Sequence, residues 1–586
     1  MKNIVLIVLV LIICLPLCGQ NLDLSLLSRY DHNLPAGGEV EIVAPYDSAS
    51  QRLFANLERD RVTIIDLSNP SNPDSIGSID LTPYGTLALN VAVKNSLVAV
   101  AVQGTTKQDS GSVVFFDSDG DYINDVTVGP APGMLSFTPS GRYVVVANEG
   151  VPTDDYTNDP EGSISIIDLM NGAASPVVAH IGFSDYNIGS PKDSLFPTSV
   201  HVYGPGATRA QDLEPEFVAI SSDGQKAYVS LQENNAVMLI DIAMGAVDTI
   251  FFLGYKDHGL AGNELDASDQ DGGVNIAQWP VYGMYQPDGI ASFSKGGVDY
   301  FITANEGAAR KYTGFDEGER VSNLSLDTTD FNNIGSLQTA AAIGRLKVSK
   351  AFGDTEKDGN MDSLYCFGGR SFSIWSASTG DLVYDSGDEF EQKTALLTPV
   401  IFNSAGVANT FDSRSDNKGP EPEDVVIGNV NNRDYAFIGL EQIGGIMVYD
   451  IEDPAVPEFI TYEPAATGDV SPEASVFISA QESPLGQALL VVSHEASSTL
   501  AIYALSASNS IPENKTGNII IYPNPTTGIL NLEGMEGKLE VYDLYGSLIQ
   551  TSVSNTMDIS HAASGIYFLK ATDEWGRVSS LKVIKE

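Results

Sequence analysis

Residues 214–242, EPEFVAISSDGQKAYVSLQENNAVMLIDI, contain the pattern that decides the fold of this chain. Three apolar runs, at 217–221, 227–231 and 236–240, are separated by a Ser-Asp-Gly turn and by a short polar segment that includes Glu233. Apolar runs of this length bounded by turn residues are typical of β-strands. The stretch therefore predicts three consecutive antiparallel strands of one sheet.

Similar units recur along most of the chain, and a spacing of roughly 40–50 residues is typical of the blades of a β-propeller. We predict an all-β chain with a seven-bladed β-propeller over residues 30–506. Eight blades are the alternative, depending on how residues 307–353 are divided. The proposed units are 36–80, 86–128, 131–182, 213–253, 285–350, 354–390, 420–461 and 471–506.

Acidic residues recur at a fixed phase of these units, one before the first strand and another after the second. Because the second strand of a blade runs antiparallel to the first, both acids return to the same face of the propeller. Carboxylates held close together cannot all stay ionised without protons or cations between them. The pattern predicts a metal-binding ring, with merely acidic surface loops as the alternative. Its predicted members are Glu41, Glu149, Glu216, Glu233, Asp288, Glu306, Glu423, Glu441 and Glu495.

The composition excludes some partners and predicts an exported protein. A formal net charge of −46 argues against nucleic acid and against an anionic membrane surface. Residues 1–20 have a basic start, an apolar core and a small residue at the end, as secretory signal peptides do. The apolar run is short for a transmembrane helix, so none is expected after cleavage. Only Cys366 would then remain, which excludes a disulfide framework.

The C-terminal part differs in pattern from the propeller units. A polar linker at 507–517 is followed by short alternating strands over 518–586, which predict a small β-sandwich. This segment resembles the type A C-terminal sorting domain of type IX secretion. The resemblance rests on YPNPTTG at 522–528, VYD at 541–543, GIY at 565–567 and KVIK at 582–585. It implies the type IX secretion machinery as a partner, and an extracellular or outer-membrane-surface location.

Two further sites are expected from local patterns. Residues 354–362, DTEKDGNMD, alternate acids around a Gly turn, as loops that wrap a hard cation do. A solvated acidic loop is the alternative; the predicted second metal loop consists of Asp354, Glu356, Asp358 and Asp362.

Guanidinium groups near an acidic, metal-bearing mouth could hold a phosphoryl group or pair with neighbouring acids. The residues concerned are Arg310, Arg370 and Arg414.

Motifs spread over residues 30–506 resemble the choice-of-anchor I family of bacterial surface proteins, related to animal mesenchyme-specific cell-surface glycoproteins. The motifs include ANEG at 147–150 and 304–307, EPE at 214–216, LQENNA at 231–236, GGRSFSIW at 368–375 and DNKGPEPE at 416–423. The sequence departs from the family pattern at Gly133, where an acid would complete the unit.

The seven-bladed arrangement carries one further expectation. In that arrangement, residues 307–344 are predicted to form a loop over the acidic face.

Two classes of function follow. One is a calcium-dependent phosphoesterase, similar at fold level to propeller alkaline phosphatases and phytases, with Ca²⁺ or a mixed calcium–iron cluster activating water. The other is a non-catalytic cell-surface binding or adhesion propeller with structural calcium, whose acidic face contacts a protein or glycan. A small phosphoester is the expected ligand in the first case.

Overall fold

The computed structural model divides into two compact units, one of residues 22–506 and another that contains residues 507–586. Both units are built from β-strands. The expected signal peptide and Glu41 lie outside the described residues. The structure describes residues 21–32, 43–85, 87–407, 409–508, 520–533, 537–543, 548–573 and 578–586.

Seven four-stranded sheets follow one another along the larger unit. The first three contain Tyr46–Asp47, Arg52–Glu58, Arg61–Asp66 and Asp74–Asp80; Ala88–Lys94, Leu97–Val102, Ser110–Asp117 and Tyr122–Pro130; and Met134–Phe137, Tyr143–Asn148, Ser163–Asp168 and Val177–Gly182. The next three contain Val218–Ile220, Lys226–Leu231, Ala236–Asp241 and Ala246–Phe252; Ile290–Lys295, Val298–Asn305, Ser371–Ser376 and Leu382–Asp385; and Pro422–Val430, Arg433–Leu440, Ile446–Asp450 and Glu458–Glu463. The seventh contains Pro472–Ile478, Leu489–His494, Thr499–Ser508 and the N-terminal strand Asn21–Asp31.

The central strands are buried on both faces because a neighbouring sheet packs against each face. In Tyr143–Asn148, Val144 and Val146 belong to a core shared with the second sheet. Val145 and Ala147 belong to a core shared with the fourth sheet. Successive side chains of a strand point to opposite faces, so a near-continuous run of valines serves both cores.

The seven sheets form a propeller-like ring. Each first strand, or the residues just before it, lines one cavity of about 580 Å³. The first strands also pack on one another in chain order. The first and seventh sheets complete the ring, because Leu53 and Ile65 of the first share a core with Leu489 and Val491 of the seventh.

An insertion forms a five-stranded sheet that the sequence did not predict. Two of its strands come from the chain between the fourth and fifth sheets, and three come from the chain between the second and third strands of the fifth sheet. Two units expected from the sequence, 285–350 and 354–390, therefore contribute to the fifth sheet and to this insertion. Residues 307–344, expected to be a loop, supply one of its strands. The sheet contains Tyr255–Asp257, Tyr282–Met284, Tyr365–Phe367, Lys347–Ser349 and Gly318–Arg320.

Helices are few and short among the described residues. The longest, Glu389–Leu397, lies between the fifth and sixth sheets. The other α-helices are Arg209–Asp212 and Ile334–Leu337, and the 3₁₀ turns are Ser184–Tyr186, Asp193–Leu195, Val321–Asn323 and Ile343–Arg345.

The C-terminal unit has two sheets. One contains Ile520–Tyr522, Ile529–Glu533 and Thr556–Asp558, and the other contains Leu548–Ser552, Gly537–Tyr542, Gly565–Asp573 and Val578–Lys585. Buried side chains of both sheets, such as Leu532 and Leu569, share one core. Asn524, in the quoted motif, holds the last strand: its side chain donates to Lys582 O at 2.8 Å and accepts from Ile584 N at 2.8 Å.

The N-terminal strand is held by a partly buried ion pair. Arg29 Nε donates to Asp469 Oδ1 at 2.8 Å, and the Asp469 side chain is fully buried. Removing one partner of such a pair leaves an uncompensated buried charge. We expect Arg29→Met to lower the free energy of unfolding by about 3 kcal/mol, measured by denaturant titration.

A matched control for this substitution is Arg52→Met, since Arg52 pairs with Asp119, whose side chain is 71% exposed. Exposed pairs contribute below about 1 kcal/mol. Equal losses for the two variants would contradict the role assigned to Arg29.

Candidate metal-binding mouth

Carboxylates converge where second strands end and first strands begin. Glu306 follows Val298–Asn305, Glu441 follows Arg433–Leu440, and Asp288 precedes Ile290–Lys295. We call this group the acidic mouth; it consists of Glu149, Glu233, Asp288, Glu306, Glu421, Glu423, Glu441 and Glu495.

A close backbone approach brings two of these carboxylates together. Gly289 N donates to Glu423 O, in the neighbouring sheet, at 2.9 Å. A Cβ atom at position 289 would lie 2.7 Å from the same oxygen, so glycine is required there. The approach places Asp288, one residue earlier, beside Glu423.

Two overlapping triads of carboxylates result, and they share Glu306. The oxygens of Asp288, Glu306 and Glu423 lie within 4.8 Å of one another. The oxygens of Glu306, Glu421 and Glu441 form a second such group. Separations of this size suit oxygens that surround one hard cation.

The side chain of Gln232 orients two carboxylates of the first triad, but it does not supply hydrogen bonds to all the oxygens of the triad. Gln232 Nε2 donates to Glu306 Oε2 at 2.9 Å and to Asp288 Oδ2 at 3.3 Å. Glu423 Oε2 is buried and accepts no hydrogen bond within the described part of the chain. A buried oxygen without a donor is costly, and a cation would satisfy it.

Basic side chains lie at the second triad. Lys418 Nζ contacts Glu421 Oε2 at 2.8 Å and also contacts Glu306 Oε1. Arg414 Nε donates to Glu421 Oε1 at 2.6 Å. Burial lowers the pKa of Lys418, but the carboxylates of Glu306 and Glu421 outweigh this effect and raise it. The ammonium is therefore charged.

Burial and mutual repulsion raise the pKa of several carboxyls in the acidic mouth. Burial first, and then Asp288, Glu441 and Glu421 against the opposing charge of Lys418, raise the pKa of Glu306 to about 8. Burial, then Glu306 and Asp288, hold the pKa of Glu423 well above its usual range. Such carboxyls either keep protons or bind a cation.

The remaining predicted ring members extend the mouth. Burial and Glu233 raise the pKa of Glu149 to about 8. Burial and Glu441 raise the pKa of Glu495 to about 7. Glu149 Oε1 would lie 2.1 Å from a Cβ at position 133, so its carboxylate occupies the space that the family acid would need. Glu216 precedes Val218–Ile220, with its N donating to Ser230 O at 3.1 Å.

The three arginines are not gathered at one point, and each pairs with acids, as the alternative interpretation held. The Arg310 side chain is fully buried, with Nη1 3.1 Å from Asp212 Oδ1 and Nη2 3.2 Å from Glu214 Oε1. Arg370 Nη1 donates to Glu391 Oε1 at 2.7 Å, and Arg370 Nη2 donates to two backbone carbonyls. Of the three, only Arg414 pairs with a carboxylate of the two triads, that of Glu421.

The predicted second metal loop does not gather its four carboxylates. Asp354 accepts from the N–H groups of Asp358 and Gly359 and so stabilises its own turn. Asp362 Oδ2 accepts from Thr355 N at 2.7 Å, and this carboxylate lies with those of Asp327 and Asp330. Glu356 and Asp358 are exposed. A short alternating pattern cannot show which carboxylates accept hydrogen bonds from backbone N–H groups and are therefore not free to bind a metal.

Sequence reasoning missed Glu421 and Lys418 as members of the site. The signal for Glu421 was available, because Glu421-Pro422-Glu423 repeats the pattern of Glu214-Pro215-Glu216. Nothing local indicated that Lys418 contacts Glu306, which is more than one hundred residues away in sequence.

No helix among the described residues has the length and apolar character needed to cross a membrane.

The fold and site define an all-β protein with a carboxylate-rich mouth, and sequence comparison identifies its family. The chain matches the choice-of-anchor I domain over residues 41–454, well over half its length, and belongs to that family. Residues 520–586 match the secretion system C-terminal sorting domain. The protein is therefore addressed to the type IX machinery and to the extracellular space or cell surface.

Two relatives show how far the similarity extends. Gigasin-3a of Magallana gigas is 33% identical over 191 residues, which cover 29% of this chain and 67% of that protein. Mesenchyme-specific cell surface glycoprotein of Strongylocentrotus purpuratus is 26% identical over 328 residues, 48% of this chain and 42% of that protein. This chain thus spans less than half the length of the Strongylocentrotus protein.

Solved structures resemble the chain only distantly. Hydrazine synthase of Kuenenia stuttgartiensis has a TM-score of 0.43 and 13% identity, covering 82% of this chain and all of that one. The β-propeller domain of Cps50 (Swd1) from Myceliophteria thermophila has a TM-score of 0.37 and 8% identity, with the same coverage. Similarity at this level has no bearing on function.

Proposed function

We propose that this protein is a cell-surface, calcium-binding propeller whose acidic mouth holds Ca²⁺ through Asp288, Glu306 and Glu423. The observation that carries the proposal is the first triad. Its three carboxylates have oxygens within 4.8 Å of one another, and the buried Glu423 Oε2 accepts no hydrogen bond from the residues that the structure describes. All donors in the triad are carboxylate oxygens, which suit Ca²⁺ better than iron. We assign Ca²⁺ alone, rather than a calcium–iron cluster.

The architecture in this proposal is a closed propeller of seven blades with a C-terminal β-sandwich. The seven four-stranded sheets and their shared cavity support the blade count. The common core of the two C-terminal sheets supports the sandwich. Strand ends of a rigid ring deliver the carboxylates, and such positions are stiffer than loop tips.

A non-catalytic role at the surface fits the arrangement best. Arg310 and Arg370, two of the three arginines expected to contact phosphate, are engaged by Asp212, Glu214 and Glu391. The name of the Strongylocentrotus relative, a cell surface glycoprotein, accords with a role in contacts to a protein or glycan.

A calcium-dependent phosphoesterase is the second candidate, and the position of Lys418 and Arg414 beside the acidic mouth favours it. A bound cation would polarise the phosphate, and these two cations would hold its oxygens. Release of p-nitrophenol from p-nitrophenyl phosphate by the calcium-loaded protein, lost in Arg414→Ala while Ca²⁺ stays bound, would establish this candidate. No turnover with Ca²⁺ bound leaves the non-catalytic role.

We expect Glu423→Gln to weaken Ca²⁺ binding by at least about 10-fold, equivalent to about 1.4 kcal/mol, because one of three charged ligands is lost. Equilibrium dialysis at pH 8 measures this affinity. Glu458→Gln is the matched control, since it removes the same charge from an exposed position of the same sheet. Equal affinity in Glu423→Gln and the control would contradict the proposed site.

A further inference from the structure

The second triad already contains a cation that belongs to the chain itself. Glu306, Glu421 and Glu441 have the spacing of a metal site, and the Lys418 ammonium lies against Glu306 and Glu421. The Glu421 side chain is almost fully buried. Three carboxylates at such separations need positive charge among them, and here a lysine supplies it.

The ammonium is held in place from several directions. The backbone of Glu421 is fixed by Glu441, whose N donates to Glu421 O at 2.8 Å. Arg414 Nε holds the other oxygen of the Glu421 carboxylate. Gly419 N donates to Arg414 O at 3.0 Å, which closes the turn that carries Lys418. The lysine is therefore part of a built arrangement.

The first triad differs from the second in the side chain that contacts its carboxylates. Its orienting side chain, Gln232, is neutral, and Glu423 Oε2 is left without a hydrogen bond among the described residues. The second triad, by contrast, contains the ammonium of Lys418. The shared Glu306 contributes one oxygen to Gln232 and the other to Lys418.

We propose that Lys418 takes the place of a second metal ion, so that the acidic mouth binds one Ca²⁺ and not two. This inference rests on the proposed calcium site. Without the ammonium, Glu306 would bridge two cations, as carboxylates do in two-metal centres whose ions lie about 3.5–4 Å apart. A compact ammonium on a flexible stem is suited to replace a metal ion as a point charge.

Charge balance supports a single ion. Asp288, Glu306, Glu421, Glu423 and Glu441 carry five negative charges when ionised, and Lys418 and Arg414 carry two positive charges. One Ca²⁺ reduces the remaining three negative charges to one. A second Ca²⁺ beside Lys418 would make the two triads and their two basic partners net positive, which weakens the local attraction for that ion.

The test is the number of Ca²⁺ ions bound per chain at pH 8, measured by calorimetric titration of the full chain. Lys418→Met keeps the length of the side chain and removes its charge, so we expect one ion in the wild-type mouth and two in this variant. Lys418→Arg retains the charge and should still bind one. Lys295→Met is the matched control, because Lys295 also bridges two carboxylates, Asp434 and Glu452, which belong to neither triad.

The outcomes separate the two proposals. One ion in both wild type and Lys418→Met would overturn the inference and leave the calcium site standing. No ion in the wild-type mouth would overturn the proposed function itself. A second ion that also appears in Lys295→Met, or that persists in the double variant Lys418→Met/Glu441→Gln, would place it outside the second triad and contradict the inference. If Lys418→Met folds only in Ca²⁺, the dependence of its Tm on Ca²⁺ concentration gives the same count.

Discussion

Adding Ca²⁺ to metal-free protein at pH 8.5 is expected to raise Tm by about 4 °C when free Ca²⁺ is about 1,000-fold above Kd. At that ratio binding stabilises the native state by about 4 kcal/mol. A unit of this length has an unfolding entropy near 1 kcal/mol/K, taken from about 2 cal/mol/K for each residue. Differential scanning calorimetry with and without Ca²⁺ measures the shift.

The same experiment at pH 5 is expected to show almost no shift. Burial and mutual repulsion raise the pKa of Glu149 and Glu306 to about 8 and of Glu495 to about 7. At pH 5 these carboxyls keep their protons in the folded state, and Ca²⁺ must displace them.

Metal-free protein should follow the opposite trend. Because the folded-state pKa values are raised, the stability from these groups is fully present below about pH 4.5 and is lost as pH rises through about 8. Metal-free protein should lose stability from these groups between pH 5 and pH 8.5, and Ca²⁺ should restore it. A Ca²⁺-dependent shift of equal size at both pH values would contradict the carboxylate mouth as its origin.

Arg310→Met is expected to lower the free energy of unfolding by about 3–5 kcal/mol, the usual cost of removing one partner from a buried ion pair. The Arg310 guanidinium lies between Asp212 and Glu214 and also donates to Asp212 O at 2.9 Å. Without it, both carboxylates would be buried near Glu233 with no compensating charge. Denaturant titration measures the loss.

Two controls test whether the loss of stability in Arg310→Met comes from the buried ion pair. Arg142→Met, which breaks a solvent-exposed pair with Asp168, should cost less than about 1 kcal/mol. The number of Ca²⁺ ions bound by folded Arg310→Met should equal that of the wild type, because Arg310 contacts neither triad. Unchanged stability together with lost binding of phosphate would instead place Arg310 in a ligand site.

Local sequence pattern was enough to find most strands and the phase of the acids. In 214–242 the predicted runs 217–221, 227–231 and 236–240 correspond to Val218–Ile220, Lys226–Leu231 and Ala236–Asp241. These features depend on alternation and turn residues within a few positions. The placement of Glu306 and Glu441 just after second strands follows from the same local pattern.

Features that depend on distant pairing were not predictable from one sequence. Asn21–Asp31 joins the sheet formed by residues 472–508, and the five-stranded sheet combines strands from two segments, 255–284 and 318–367. The partners of the arginines were missed for the same reason: Arg370 donates to Asp266 O, 104 positions away. The sequence shows that a side chain is charged, but it does not show which group that side chain pairs with in the folded protein.

The most direct measurement is long-wavelength anomalous diffraction from crystals of the full chain grown with Ca²⁺ at pH 8. We expect one anomalous peak bounded by Asp288, Glu306 and Glu423, with oxygen distances of about 2.3–2.6 Å. Lys418 should remain against Glu421, with no second peak beside it. Crystals that contain Ca²⁺ elsewhere but show no peak at this triad would contradict the calcium-binding mouth.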